Sequence, residues 1–258
     1  MTDSVVSIAG LSKTFAKAGV TALEDIALEI GKREFVSLIG PSGCGKSTLL
    51  RIVGDIVEPT TGSVEVNGKP ARRARLDGDY GIVFQAPVLY DWRTVTKNIA
   101  LPLEMLGWDR SRRAARVKEM VELVDLGGFE DHHPWQLSGG MQQRVSIARA
   151  FSFSPALLLM DEPFGALDEM TRERLNLELL RLWLETESTV IFVTHSISEA
   201  VFLSTRVVVM SARPGRVSAI VPIDLPQPRT ALTREEPRFF ELVTQVREAL
   251  HAGGADLA

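Results

Sequence analysis

"FVSLIGPSGCGKSTLLRIVGD", residues 35–55, decides how this chain folds. Its opening six residues form a short, mainly apolar run without regular polar alternation, the pattern of a strand buried on both faces. A glycine-rich loop follows, and "STLLRIVGD" then continues in a helical pattern. Residues 40–47 match G-x-x-x-x-G-K-[S/T] in the strand–loop–helix setting that this motif demands. The physical logic is direct. Gly40, Gly43 and Gly45 let the backbone wrap around phosphates, while the helix N-terminus aims donors and positive dipole at them. Pro41, Ser42, Cys44 and Thr48 complete the loop. Lys46 is expected to reach β- and γ-phosphates as a point charge, and Ser47 to offer its hydroxyl to Mg²⁺.

Two further apolar runs share this grammar: "ALLLM" (156–160) and "TVIFVT" (189–194). Ligands of open α/β sheets bind at the carboxyl ends of the strands, so the three endings are expected to converge on one site. "ALLLMDEP" contributes Asp161 and Glu162. Consecutive strand residues face opposite ways, so both serve one site only if the strand ends there. Pro163, which cannot donate to a ladder, supports that ending. Asp161 is then placed to hold Mg²⁺, directly or through water, and Glu162 to polarise an attacking water. His195 ends the third run and is expected at the γ-phosphate; His132, His133 and His251 read as structural or solvated. The fold class is α/β.

Outward from this core, the first 33 residues and residues 62–83 read as short strands of an antiparallel section, with turns such as "EVNGKP". Residues from about 92 to 153 are mostly helical in pattern, and 169–185 form a strongly amphipathic helix. After "SARPGR" come a short strand, a proline-rich turn "DLPQPR" and a final helix near 235–250.

Composition narrows the function. The net charge of −4 over 258 residues gives no basic field for nucleic acid. The cluster "RSRRAARVK" (110–118) reads as the solvated face of a helix. Cys44 is the one cysteine, which rules out an intrachain disulfide and fits a reducing compartment. The N-terminus lacks a secretory pattern, and no run reaches the roughly 18 apolar residues of a membrane span. A soluble, cytoplasmic chain is expected, with any membrane part supplied by another protein.

"GPSGCGKST", Gln85 in "IVFQAP", "LSGGMQQR" (137–144), "ALLLMDEP", "GALD" (165–168) and His195 occur in the order found in ATP-binding cassette ATPases, and the chain resembles that family over nearly its whole length. The resemblance implies a RecA-like core with an antiparallel β subdomain and a helical subdomain. It places the ATPase domain at 1–230, the helical subdomain inserted at about 88–153, and a short helical extension at 231–258. It implies that Phe15 stacks on adenine and that Gln85 senses Mg²⁺ and the attacking water. Ser138, Gly139 and Gly140 would cap the γ-phosphate held by the opposing subunit's Lys46, and Asp168 would support that subunit's site. Two copies then close head to tail around two ATP molecules, and the chain is expected to be an active Mg²⁺-dependent ATPase.

Two positions depart from the common pattern: Met141 replaces a glutamine, and Ser196 replaces an aspartate after His195. "PVLYDWRTVTKNI", "DEPFGALDEMTRE", "EAVFLSTRVVVMSARPGRV" and "DLPQPR" resemble the ATPase subunits of nitrate, sulfonate and taurine importers, and importers of thiamine pyrimidine precursors look closely similar. That implies a peripheral protein on the cytoplasmic face of the inner membrane, bound to membrane permease subunits and served by an extracytoplasmic solute-binding protein. Leu89, Tyr90 and Trp92, just after Gln85, form the expected docking cluster if exposed; the alternative is that they are core residues of the helical section. A DNA-maintenance or translation cassette would need a coiled-coil insertion, zinc motifs or a second cassette. An exporter cassette is normally fused to membrane spans.

Overall fold

The computed structural model of the chain describes residues 4–165 and 167–254. Strands β1 (Ser4–Phe15) and β2 (Val20–Gly31) pair antiparallel. After β3 (Phe35–Ile39) and α1 (Lys46–Val53), β4 (Thr61–Val66) and β5 (Lys69–Pro70) complete a four-stranded sheet in the order β2-β1-β4-β5. This is the antiparallel section expected from the sequence.

That section ends earlier than the sequence reading placed it. Residues 71–77 form a helix, α2 (Ala71–Asp77). The next strand, β6 (Tyr80–Val83), is not antiparallel; it pairs parallel with β7 (Leu157–Asp161) at the edge of the central sheet. Between them lie α3 (Val95–Met105), α4 (Arg110–Leu123) and α5 (Gly139–Phe151). After β7 come α6 (Glu169–Thr186), β8 (Thr189–Val193), α7 (Ile197–Leu203), β9 (Arg206–Met210), β10 (Val217–Pro222) and α8 (Pro237–Ala252). The six-stranded sheet has the order β10-β9-β3-β8-β7-β6, parallel except for β10.

The three apolar runs are β3, β7 and β8, and every residue in them is buried. Their side chains alternate between two cores, as strand geometry requires. Phe35, Leu158, Met160, Val190 and Phe192 join the core beneath the helical section and α6–α8. Val36, Leu38, Leu157, Leu159 and Ile191 join the core shared with α1 and the antiparallel sheet. Each such side chain contributes about 1.5–3 kcal/mol by leaving water, so the strand ends that carry the site are fixed from both sides. Helix starts are capped as the sequence permits: the side chains of Asp109, Ser138, Asp168 and Ser196 accept backbone N–H groups of α4, α5, α6 and α7.

Among the described residues, no helix is long and apolar enough to cross a membrane.

Candidate functional site

The carboxyl ends of β3, β7 and β8 do converge. A cleft of about 450 Å³ is bordered by Ser42, Gly43, Gly45, Lys46, Ser47 and Thr48 of the loop, by Gln85, Glu162 and His195, and by Phe15 at the end of β1. The loop enters α1 through Gly45 at φ 102°, a left-handed conformation open to glycine. A β-carbon there would stand 2.7 Å from Leu23 and 2.9 Å from the Ala22 carbonyl, so the position also requires close approach of β2.

Lys46 is held inside its own loop, where Nζ donates to the carbonyls of Gly40 (2.7 Å) and Pro41 (3.0 Å). Cys44 is buried in the core and does not border the cleft.

β7 ends at Asp161, the condition the sequence set for both carboxylates to share a site. Glu162 then adopts φ 46°, a left-handed turn that costs a non-glycine residue about 1–2 kcal/mol. Its N–H still donates to the Val193 carbonyl at 3.0 Å, which ties the turn to β8. The reversal directs the Glu162 side chain into the cleft. Gln85 Nε2 donates to Glu162 Oε2 at 3.3 Å, and His195 Nδ1 lies 3.4 Å from the same oxygen.

Asp161 is buried, and burial pushes its carboxyl up, against the Ser47 hydroxyl bond and the Arg51 charge. Ser47 Oγ donates to Oδ1 at 2.6 Å, and Arg51 approaches Oδ2 only to 3.6 Å. Oδ2 is thus a buried carboxylate oxygen without a hydrogen-bond donor. A bare carboxylate oxygen beside a serine hydroxyl at a phosphate loop fits Mg²⁺, which binds through one or two carboxylates together with phosphate oxygens.

The structure keeps the second glycine device apart. Ser138, Gly139, Gly140 and Asp168 do not border the cleft. Ser138 Oγ accepts the Met141 N–H at 3.2 Å, and Gly139 lies exposed on the first turn of α5. A helix's first N–H groups have no partner within the helix, so the Gly139 and Gly140 amides point outward as a donor pair. Asp168 caps α6 by accepting the Thr171 N–H at 2.9 Å, which holds its carboxyl below the usual range. Ala166 of "GALD" lies outside the described residues, as do residues 255–258.

Two departures find an explanation. Ser196 caps α7 through the Glu199 N–H at 3.3 Å, a duty for which serine and aspartate are equally suited. Met141 packs against the core rather than at the exposed glycine edge.

Several contributors escaped sequence reading. Gln143, buried in α5, donates to the Phe84 carbonyl at 3.0 Å and so ties "LSGGMQQR" to the loop carrying Gln85. Glu199 is buried behind His195, where Thr194 Oγ1 donates to its carboxylate and burial pushes its carboxyl up. Arg213 borders the cleft from the "SARPGR" loop. Lys13 Nζ lies 5.1 Å from the Phe15 ring centre, so one face of that ring is already occupied by a cation. Leu89 is a correction: it is partly buried against the core, and only Tyr90 and Trp92 of the expected cluster are exposed.

Comparison with known proteins agrees with this geometry. The family model described as "ABC transporter" matches residues 23–165. An uncharacterized ABC transporter ATP-binding protein of Methanocaldococcus jannaschii is 50% identical over 87% of this chain and 84% of its own length. The aliphatic sulfonates import ATP-binding protein SsuB of Bacillus cereus is 43% identical over 96% and 97%. The taurine import ATP-binding protein TauB of Pseudomonas entomophila is 40% identical over 92% and 93%. Among solved structures, a dimeric bacterial ABC transporter cassette superposes with a TM-score of 0.78 at 34% identity, covering 86% of this chain and 100% of that one. The same cassette has also been solved as a post-hydrolysis dimer bound to ADP and Pi, with the same score, identity and coverage. With the phosphate loop, Glu162 and His195 at one cleft and Asp161 bonded to Ser47 beside it, this chain belongs to the ATP-binding cassette transporter family and is an ATPase.

Proposed function

We propose that the chain is the ATP-hydrolysing subunit of an importer for a small anionic solute of the sulfonate, taurine or nitrate kind. The observation that carries this reading is the near full-length similarity to import ATP-binding proteins named for sulfonates and taurine. In it, residues 1–230 are the ATPase domain, 88–153 its helical subdomain and 231–258 an extension; the placement of α3–α5 between β6 and β7 supports this division.

Within the site, the loop amides of residues 40–48 and Lys46 bind the phosphates, and Phe15 offers its ring to adenine. Ser47 and Asp161, with Gln85, would hold Mg²⁺, which supplies charge neutralisation across the β- and γ-phosphate oxygens when bound. Glu162 accepts the proton of the attacking water. Gln85 and His195, both on Glu162 Oε2, orient that carboxylate and the γ-phosphate beside it. The site is incomplete in one chain: the outward Gly139 and Gly140 amides and the Ser138 hydroxyl close over the γ-phosphate of a second copy, and Asp168 supports the junction. ATP is then the adhesive of a head-to-tail homodimer, and hydrolysis releases it.

The output surface lies next to Gln85. An apolar groove of about 370 Å³ is lined by Tyr80, Phe84, Val88, Tyr90, Leu101 and Met105, with the Trp92 ring tilted against Tyr90 at 4.9 Å. Met105 is 80% exposed and Trp92 71%. Large apolar side chains gathered at one open groove mark a docking site, here for a cytoplasmic segment of a membrane permease subunit. The chain would sit on the cytoplasmic face of the membrane, with an extracytoplasmic binding protein choosing the solute.

Reconstitution with partner membrane subunits and a solute-binding protein tests the reading. ATP turnover in proteoliposomes should rise with an organosulfonate, taurine or nitrate. Stimulation by a thiamine pyrimidine precursor alone would move the chain to that class of importer.

A further inference from the structure

The loop "SARPGR", residues 211–216, serves none of the roles above, yet it is fastened to the phosphate loop. The Gly215 N–H donates to the Ala22 carbonyl and the Gly215 carbonyl accepts the Glu24 N–H, both at 3.0 Å. A β-carbon on Gly215 would fall 1.9 Å from the Cys44 carbonyl oxygen, so only glycine permits this approach. Ser211 closes the turn: its N–H donates to the Arg216 carbonyl at 2.9 Å and its Oγ accepts the Arg216 N–H at 3.0 Å.

The two arginines of this rigid turn differ. Arg216 pairs with Glu24 at 2.8 Å. Arg213 has no carboxylate partner among the described residues and instead donates from Nε (3.1 Å) and Nη2 (2.9 Å) to the Gly43 carbonyl. That uses part of a guanidinium with five donors. Arg213 also borders the cleft, which it lines together with Phe15, Val20, Ser42 and Gly43. A fixed positive charge at the mouth of a phosphate site, neutralised by no side chain, matches the negative charge of a nucleotide polyphosphate.

We infer that Arg213 is a second nucleotide-binding cation, acting with Lys46: it clasps the phosphate loop through Gly43 and attracts the di- or triphosphate by charge. The inference rests on the nucleotide reading of the cleft.

The test compares Arg213→Ala and Arg213→Gln with the parent chain, using fluorescent ATP, ADP and adenosine analogues at several salt concentrations. Glutamine keeps a donor for the Gly43 carbonyl but removes the charge. Both variants should bind ATP and ADP about tenfold more weakly, the scale of one charge-assisted contact. Adenosine binding should be unchanged and the salt dependence of ADP binding shallower. Restoration of parental ADP affinity by Arg213→Gln, or no loss in either variant, would overturn the charge role. Failure of the parent chain to bind ATP, or parental binding by a Lys46→Ala control, would instead count against the cleft assignment.

Discussion

Gly139→Asp separates the two halves of the proposed site. Within one chain the change is benign. A β-carbon at Gly139 meets no heavy atom within 4 Å, and the residue lies on the exposed first turn of α5. An acidic side chain there faces the positive end of the helix, which favours it by about 0.3–1 kcal/mol, so folding should be unimpaired. Gly140 would be a poorer probe, because its β-carbon would press Leu167 at 3.1 Å. Across the dimer the same carboxylate is set against the γ-phosphate. At ~4 Å and an effective dielectric constant near 20, one pair of like charges costs ~4 kcal/mol. That corresponds to roughly a thousandfold loss at each of two sites. Multi-angle light scattering with Mg-ATP, in a background that slows hydrolysis, measures the dimer; a fluorescent ADP analogue measures the chain's own cleft. Dimers should vanish while ADP affinity and the melting temperature stay near parental values. Dimerisation at unchanged ATP concentration would refute the reasoning, and so would loss of ADP affinity, which would place Gly139 at its own chain's cleft.

The remaining predictions concern the docking groove and the buried acid. Trp92→Asp should abolish co-purification with the membrane subunits and leave the isolated chain's ATPase rate unchanged; intact assembly would remove the groove from the account. Leu89 also lines the groove but packs partly against the core, so its substitution would confound docking with folding. Glu199, whose carboxyl is pushed up by burial, makes the folded state bind a proton that the unfolded chain releases near pH ~4.3. Its contribution to stability therefore falls as pH rises from that value through the raised one. Glu199→Gln keeps an acceptor for Thr194 and removes this slope. Unfolding free energies of the variant, from urea titrations, should gain on those of the parent as pH rises above about 4.3; parallel curves across that range would contradict the assignment.

Much of the site was legible because its chemistry sits at the ends of buried strands. β3, β7 and β8 are each mainly apolar, with four apolar residues among five, and lead into the phosphate loop, Asp161–Glu162 and Thr194–His195; a parallel sheet brings such ends together without further information. β6 was misassigned because "YGIV" is short and half-buried at a sheet edge, where the signal for a parallel strand is weakest. "RVVVM" carried a strand signal that went unread, and it is β9. Contacts between distant segments were out of reach. Nothing in the order of residues announces that Arg213 meets the Gly43 carbonyl, or that Gln143 holds Phe84. These bonds depend on where two loops land, and only packing decides that. The left-handed turn at Glu162 was foreshadowed by Pro163, but its consequence, one carboxylate oxygen shared by Gln85 and His195, required coordinates.

The central claim is that Glu162 turns a nucleotide-binding cleft into an ATPase site. Glu162→Gln keeps the shape of the side chain and the turn while removing the basic oxygen. Mg-ATP turnover and ATP affinity measured on the same purified variant test the claim directly. The account predicts turnover lowered by at least about 100-fold, the scale of a lost general base, with ATP affinity within a few-fold of the parent. Parental turnover in the variant would contradict it.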